Sequence, residues 1–175
     1  VRNIDQFGIP QSNNYFGWDV KINRAGTIIA VASLKPVGKV VDFNSEGGIQ
    51  TFAWTGTDWI EYGGGDQMNG DGDNHYMGIP NDAGESGISM NHDGTIISAG
   101  SKDSSYAKVW KINDITNLFT NANGYTLKGS TITGPSANQL FGYSISINSD
   151  GTVVLITGDS GSGRARIYEW SGTAW

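Results

Sequence analysis

The chain has 175 residues, a net charge of −6 at pH 7, 26 glycines, and 19 aromatic residues made up of 6 Trp, 7 Tyr and 6 Phe. This composition is typical of short strands joined by turns, and it excludes a helical protein rich in Ala, Glu, Lys and Leu. The 11 basic residues are scattered and no stretch approaches 18 consecutive apolar residues. We therefore expect neither nucleic acid as a partner nor membrane insertion.

One motif, centred on Asn-x-x-Gly-Thr, recurs three times along the chain. The aligned copies are Phe16–Ser33, Gly84–Ser101 and Phe141–Gly158. Before each turn apolar residues alternate, which is the period of a strand with one buried face. These alternating pairs are Val20 and Ile22, Ile88 and Met90, and Ile145 and Ile147. After each turn a continuous small or apolar run predicts an inner strand packed on both faces.

The turns themselves carry a hairpin signal. Glycine takes the positive-φ position of a tight turn at no steric cost, and Asp-Gly between alternating apolar residues favours a hairpin. The predicted hairpin residues are Gly26, Asp93, Gly94, Asp150 and Gly151.

A third strand is predicted in each copy, and a short fourth strand follows in two of them. The third strands are Gln50–Trp54, Ala107–Ile112 and Ala165–Trp170, and the fourth strands are Trp59–Tyr62 and Tyr125–Gly129. The first and last copies share a Trp-(Ser/Thr)-Gly-Thr-x-Trp turn. The segment Asn113–Asn121 is the one stretch expected to form a helical turn.

Four antiparallel strands per repeat predict an all-β chain of about three four-stranded β-propeller blades. We predict a single propeller segment over residues 1–175, with approximate repeats at 8–77, 78–133 and 134–175, the last one truncated. Because propellers close with four to eight blades, we expect this chain to be part of a larger propeller. An open three-blade unit completed by another copy or by a partner chain is the alternative.

The repeat resembles a known class once its residues are aligned. Phe-Gly-x-Ser-Ile-Ser-x-Asn-x-Asp-Gly-Thr, as in Phe141–Thr152, resembles the FG-GAP repeats of integrin α-type propellers and of microbial and viral surface proteins. The second copy is also similar to a WD-repeat. The resemblance implies an extracellular, cell-surface or virion-surface location and binding to protein partners.

Calcium is the one cofactor that the sequence suggests. Integrin FG-GAP loops often bind Ca²⁺ through closely spaced carboxylates, whereas each aligned turn here has at most one carboxylate. The better candidate is Asn69, Asp71 and Asp73, which alternate as the oxygen ligands of calcium loops do. A polar link between blades is the alternative reading of this segment.

Catalytic motifs are absent from the sequence, so we expect the chain not to be an enzyme. His75 and His92 lie apart without cysteine, and no Gly-x-Ser-x-Gly nucleophile elbow is present. A carboxylate pair for glycoside hydrolysis could still come from different blades. The residues concerned are Glu46, Glu61, Glu85 and Glu169. A propeller-fold glycoside hydrolase fragment therefore stays open as an alternative.

Aromatic residues are the positive indication of a binding function. Trp18 and Tyr143 occupy one position in two copies, and Trp59 ends a turn that recurs at Trp175. Exposed Trp and Tyr stack on sugars or anchor protein partners, and packing between blades is the alternative. We expect a non-catalytic scaffold that binds protein partners or other copies of itself, with a glycan-binding, lectin-like module as the alternative.

Overall fold

The computed structural model describes residues 16–34, 46–62, 68–79, 86–113, 124–136, 140–159 and 163–175. In these ranges the regular structure is β-strand alone, arranged in three antiparallel sheets. The prediction of an all-β chain is confirmed, whereas the number of blades and the closure of a ring stay predictions. No helix among these residues is long and apolar enough to cross a membrane.

Each sheet follows one copy of the repeat, with neighbouring strands consecutive in sequence. Sheet 1 contains β1 (Val20–Ile22), β2 (Ile28–Ser33), β3 (Gly48–Trp54) and β4 (Trp59–Tyr62). Sheet 2 contains β5 (Ile88–Met90), β6 (Ile96–Ser101), β7 (Tyr106–Ile112) and β8 (Tyr125–Leu127), and β9 (Ile132–Thr133) also pairs with β7. Sheet 3 contains β10 (Ile145–Ile147), β11 (Val153–Gly158) and β12 (Arg164–Glu169).

The predicted strand bounds need small corrections. The fourth strand of the second copy was predicted to end at Gly129 but ends at Leu127. Gly129 itself has a positive φ of 84°, which ends the extended conformation. The third strand of the last copy ends at Glu169, one residue before the predicted Trp170. Apart from Asn113, the segment predicted as a helical turn lies outside the described residues.

The three repeat hairpins have the same geometry. In each, the turn glycine donates its backbone N–H to the carbonyl of the motif asparagine, at 3.0 to 3.2 Å. The glycines have φ values of 70°, 80° and 67°, whereas Asp93 and Asp150 are not among the residues with positive φ. The glycine alone therefore provides the left-handed residue of the turn, as in hairpins that end in a glycine bulge.

The asparagine side chain closes each turn a second time. Asn23 Oδ1 accepts the backbone N–H groups of Thr27 at 2.8 Å and Ile28 at 3.0 Å, and its Nδ2 donates to the Thr27 hydroxyl at 3.2 Å. Asn148 repeats all three bonds with Thr152 and Val153. The side-chain oxygen thus takes the place of a backbone carbonyl as acceptor, and both the Asn and the Gly of the motif contribute to closing the turn.

Two apolar cores lie between successive sheets. The first joins Ile28 and Ile49 of sheet 1 to Ile88 and Trp110 of sheet 2. The second core, between sheets 2 and 3, is formed by the following buried residues: Ala107, Val109, Ile132, Phe141, Ile145, Ile147, Val154 and Ile156. Sheet 2 is thus covered on both faces, because each of its neighbours packs against one of them.

Polar contacts also join the sheets near their first strands. Asp19 Oδ2 accepts the backbone N–H of Ile88 at 3.1 Å and the hydroxyl of Ser86 at 3.2 Å. Ile145 then donates its N–H to the carbonyl of Ser86 at 3.1 Å. The first strands β1, β5 and β10 therefore stand side by side.

Candidate functional site

The side of sheet 1 that faces away from sheet 2, called here the leading side, exposes apolar residues. Val20 is 56% exposed and Ile22 is 60% exposed, and Trp18 beside them is also exposed. Ile88 and Ile145, which stand at the position of Val20 in the other repeats, are buried by the preceding sheet. No described sheet lies against the leading side of sheet 1, whereas the residue type at this position is apolar in all three repeats.

The opposite side of the stack, the trailing side of sheet 3, is also open. Leu155 is 37% exposed and Ile167 is 69% exposed. The counterparts of Ile167 by strand register are Thr51 and Val109, which are buried against the next sheet. The expectation that the strand after the third turn is packed on both faces is therefore wrong at Leu155, because no described sheet covers that face.

A pair of tryptophans lies at the end of the leading side of sheet 1. Trp54 and Trp59 face each other across the β3–β4 turn, with ring centroids 5.5 Å apart and an interplanar angle of 52°. Thr55 closes this turn through its N–H, which donates to the Asp58 carbonyl at 2.8 Å. Gly56 has a φ of 101°, which glycine adopts without strain. Trp54 is 36% exposed.

The same pair recurs in sheet 3 and there holds a lysine. Trp170 and Trp175 have centroids 5.2 Å apart at an angle of 55°, and Lys128 Nζ lies 4.6 Å from each centroid. The Trp175 indole Nε1–H donates to the carbonyl of Lys128 at 2.6 Å. Burial, with nearby Lys111 as a second cause, lowers the pKa of Lys128. The ring faces compensate the ammonium for lost hydration.

At a second aromatic position of sheet 3, a lysine of sheet 2 again lies over the ring. Tyr143 of sheet 3 has the ammonium of Lys102, from sheet 2, 5.3 Å from its ring centroid. Trp18 stands at the equivalent position of sheet 1 and is exposed. Of the three aromatic residues predicted to bind partners, the structure places Trp18 and Trp59 on the leading side of sheet 1. It places Tyr143 at the joint between sheets 2 and 3.

The predicted calcium ligands lie in the link between sheets 1 and 2, beside a lysine. Lys108 forms an ion pair with the Asp71 carboxylate and donates to the Asn69 backbone carbonyl at 3.2 Å. The described residues contain no cluster of three or more His, Asp or Glu suited to a metal. A calcium ion next to Asp71 would compete with the Lys108 ammonium, and binding by Asn69, Asp71 and Asp73 stays a prediction.

Tyr106 ties this link to sheet 2. Its hydroxyl accepts the backbone N–H of Asp71 at 2.9 Å and lies 2.9 Å from His75 Nδ1. Burial raises the pKa of the Tyr106 phenol above its ordinary value. The arrangement orders the link around residues 71–75.

Two of the remaining candidates for catalysis make side-chain contacts within the described residues. Glu61 accepts a hydrogen bond from the Gln50 side chain at 3.1 Å, and His92 Nε2 lies 3.0 Å from Arg24 Nη1. Glu85 lies outside the described residues. The glycoside-hydrolase alternative stays a prediction.

The lysines were missed by the sequence reasoning. Lys128 follows the fourth strand and Lys102 follows the second strand of the same repeat. Neither belongs to a repeated motif, so no spacing in the sequence marked them. The signal that could have found Lys128 is its place in the link before the repeat that carries the second Trp-(Ser/Thr)-Gly-Thr-x-Trp turn.

Comparison with family models finds no match, and no curated protein matches the chain significantly. Among solved structures, the chain is similar to hydrazine synthase from Kuenenia stuttgartiensis, with a TM-score of 0.53 and 12% sequence identity. The similarity covers 87% of this chain and 45% of that chain, so this chain spans about half its length. At this identity the similarity concerns the fold alone and carries no activity over to this chain.

Proposed function

We propose that the chain is a non-catalytic β-propeller segment whose open sheet sides mediate protein–protein interaction and assembly. The observation that carries the proposal is the contrast between equivalent residues. Val20 is exposed where Ile88 and Ile145 are buried, and Ile167 is exposed where Val109 is buried. Exposed apolar positions that the same fold covers elsewhere mark interaction sites.

Each open side corresponds to a sheet side that packs against a neighbouring sheet elsewhere in the chain. The leading side of each later sheet packs against the trailing side of the sheet before it, through apolar side chains. The leading side of sheet 1 has the same alternating apolar residues, and the trailing side of sheet 3 presents Leu155 and Ile167. A second copy of this chain therefore provides a matching surface for each open side.

Two copies joined head to tail at both ends contain six sheets, within the four to eight blades of known propellers. Such a contact is heterologous, and it closes into a ring only if the rotation between copies fits. In line with the FG-GAP resemblance, we propose that this assembly lies on a cell or virion surface.

The test uses the 175-residue chain at increasing concentration, with its mass measured by light scattering and sedimentation. We expect two copies for the wild type and a monomer for Val20→Lys and for Ile167→Lys, since each variant places a charge in both joints. An equimolar mixture of the two variants keeps one wild-type joint and should recover a two-copy species.

Leu127→Lys is the matched control, because Leu127 is an exposed apolar residue of sheet 2 that belongs to neither open side. Its mass should equal that of the wild type. A wild type that stays monomeric up to millimolar concentration would contradict the second copy as partner, and so would a dimer unaffected by both variants.

Glycan binding is a second candidate function, favoured by the exposure of Trp54 and Trp18 on one side of sheet 1. Aromatic rings that face solvent stack on sugar rings. A glycan array with the wild type and with Trp18→Ala decides this point. Saturable binding that the variant loses supports the lectin-like function, and an array without hits opposes it.

A further inference from the structure

The two tryptophan pairs are alike in sequence, turn and ring geometry. The ring centroids are 5.5 Å apart in Trp54–Trp59 and 5.2 Å apart in Trp170–Trp175. The interplanar angles are 52° and 55°. Their turns are also closed alike, since Ser171 N–H donates to the Ala174 carbonyl at 2.9 Å, as Thr55 does to Asp58. One pair is therefore a structural template for the other.

The template is occupied by an ammonium group. Lys128 Nζ lies 4.6 Å from both ring centroids of Trp170 and Trp175, within the range of a cation–π interaction. It also donates to the Gly151 carbonyl at 2.5 Å. Two tilted rings and one carbonyl thus form a site for one lysine side chain.

The other pair has no such cation within the described residues. No Lys or Arg from these ranges lies over the ring of Trp54 or Trp59 in the way that Lys128 lies over its pair. Trp54 is 36% exposed, so its ring is accessible.

The surroundings of Trp59 favour a positive ligand. Asp58 precedes it in the turn, and Glu61 is an exposed residue two positions along β4, on the same face of the strand. The template turn has Ala174 where this turn has Asp58. The hairpin of sheet 1 therefore adds negative charge to a geometry that already accepts an ammonium.

We infer that Trp54 and Trp59 form a binding site for a lysine side chain of a protein partner. The inference rests on the proposed protein-binding function and names the chemistry of one part of its surface. Lysine is the expected ligand because the matching pair holds a lysine ammonium 4.6 Å from both ring centroids.

The test titrates the Ile167→Lys variant, which we expect to be monomeric with the leading side of sheet 1 unchanged and uncovered, with Nα-acetyl-lysine N-methylamide and follows the indole signals of Trp54 and Trp59 by NMR. The matched probe is Nα,Nε-diacetyl-lysine N-methylamide, which keeps the stem and lacks the charge. We expect saturable shifts with the charged probe and about tenfold weaker binding of the neutral probe.

Variants assign the binding to the pair. Trp54→Leu and Trp59→Leu should each abolish the shifts of the remaining indole, while Leu127→Ala should leave the affinity unchanged. Glu61→Gln, an exposed and conservative change, should weaken binding two- to threefold, by about 0.4 to 0.7 kcal/mol. It keeps the test decisive even if a Trp variant fails to fold.

Equal affinity for charged and neutral probes would overturn the inference, as would the absence of saturation or full binding by Trp54→Leu. Failure here is separable from failure of the proposed function. If the wild type forms the two-copy species and the monomeric Ile167→Lys variant does not bind lysine, only the lysine site is refuted. A wild type that stays monomeric and binds lysine refutes only the second copy as partner.

Discussion

The backbone N–H of Arg24 donates a hydrogen bond of 3.0 Å to the carbonyl oxygen of His92, which occupies the same position in the next hairpin. The link then repeats, because His92 N–H donates to the carbonyl of Ser149 at 3.1 Å. Backbone atoms alone make these bonds, so the side chain at this position varies freely among the three repeats. The same bond would join sheet 3 or sheet 1 to any further repeat of this type.

The motif asparagine should matter most where it spans two sheets. Asn23 is buried, closes its own turn, and donates Nδ2 to the Asp93 carbonyl of the next repeat at 3.1 Å. We expect Asn23→Ala to lower the free energy of unfolding by about 2 to 3 kcal/mol, since it leaves buried N–H groups unpaired.

Asn148→Ala is the matched comparison, because Asn148 makes the same bonds within its turn at a more accessible site. Its loss should be about 1 to 2 kcal/mol. Urea unfolding followed by tryptophan fluorescence measures both variants. Equal losses would show that the contact with the next sheet contributes nothing.

Alanine substitutions at two of the turn glycines distinguish the cost of backbone strain from the cost of overpacking between sheets. Gly26 and Gly151 have φ values of 70° and 67°, so alanine is strained at both positions, by about 1 to 2 kcal/mol. A Cβ on Gly26 meets nothing within 4 Å, whereas a Cβ on Gly151 would lie 2.3 Å from Ile96 Cδ1.

Gly151→Ala should therefore destabilise the chain more than Gly26→Ala, by a further 1 to 3 kcal/mol or so from overpacking. Thermal and urea unfolding of the two variants measure the difference. If both glycines tolerate alanine equally, the contact between sheets 2 and 3 at this turn is looser than the structure indicates.

Two buried tyrosines should make the chain sensitive to alkali. Tyr62 and Tyr125 pack with ring centroids 5.4 Å apart, and burial raises the pKa of both phenols well above the ordinary value. Folding keeps the phenols protonated, so their contribution is complete below about pH 10, the pKa in the unfolded chain. It is lost as the pH rises beyond that value.

The double variant Tyr62→Phe/Tyr125→Phe should lose less stability between pH 9 and 11 or so than the wild type. At pH 7 it should match the wild type to within about 1 kcal/mol, because neither buried hydroxyl makes a hydrogen bond to a described residue that phenylalanine would lose. Tyr168→Phe, on a partly exposed ring, is the control. Identical alkaline curves for wild type and double variant would contradict the prediction.

Calcium binding at Asn69, Asp71 and Asp73 should depend on Lys108, whose ammonium already pairs with Asp71. Because a like charge at contact distance disfavours a second cation, we expect Lys108→Met to raise Ca²⁺ affinity by about tenfold or more. Isothermal titration with Ca²⁺ measures this change.

Lys111→Met is the control, because it removes an exposed lysine of the same strand whose side chain points to the other face. It should leave Ca²⁺ affinity as in the wild type. If Lys108→Met binds no Ca²⁺ at millimolar concentration, the calcium site is refuted.

The sequence was sufficient for the local structure. The hairpins and the Trp turns depend on hydrogen bonds between residues at most five positions apart, such as Asn23 to Ile28 and Thr55 to Asp58. Hydrogen bonds of this range follow from the spacing of Asn, Gly and Thr, so the strands that were predicted lie within one or two residues of their observed bounds, whereas β9, which pairs with distant β7, was not predicted.

Burial and occupancy were decided by the tertiary structure alone. Val20 and Ile145 share one position of the repeat, yet Val20 is exposed and Ile145 is buried, because among the described sheets one packs on that side of sheet 3 and none on that side of sheet 1. Likewise Trp59 and Trp175 end the same turn, but only the second pair meets Lys128, 47 residues away in sequence from Trp175. Local hydrogen bonds follow from neighbouring residues, whereas these contacts depend on which distant sheet packs alongside.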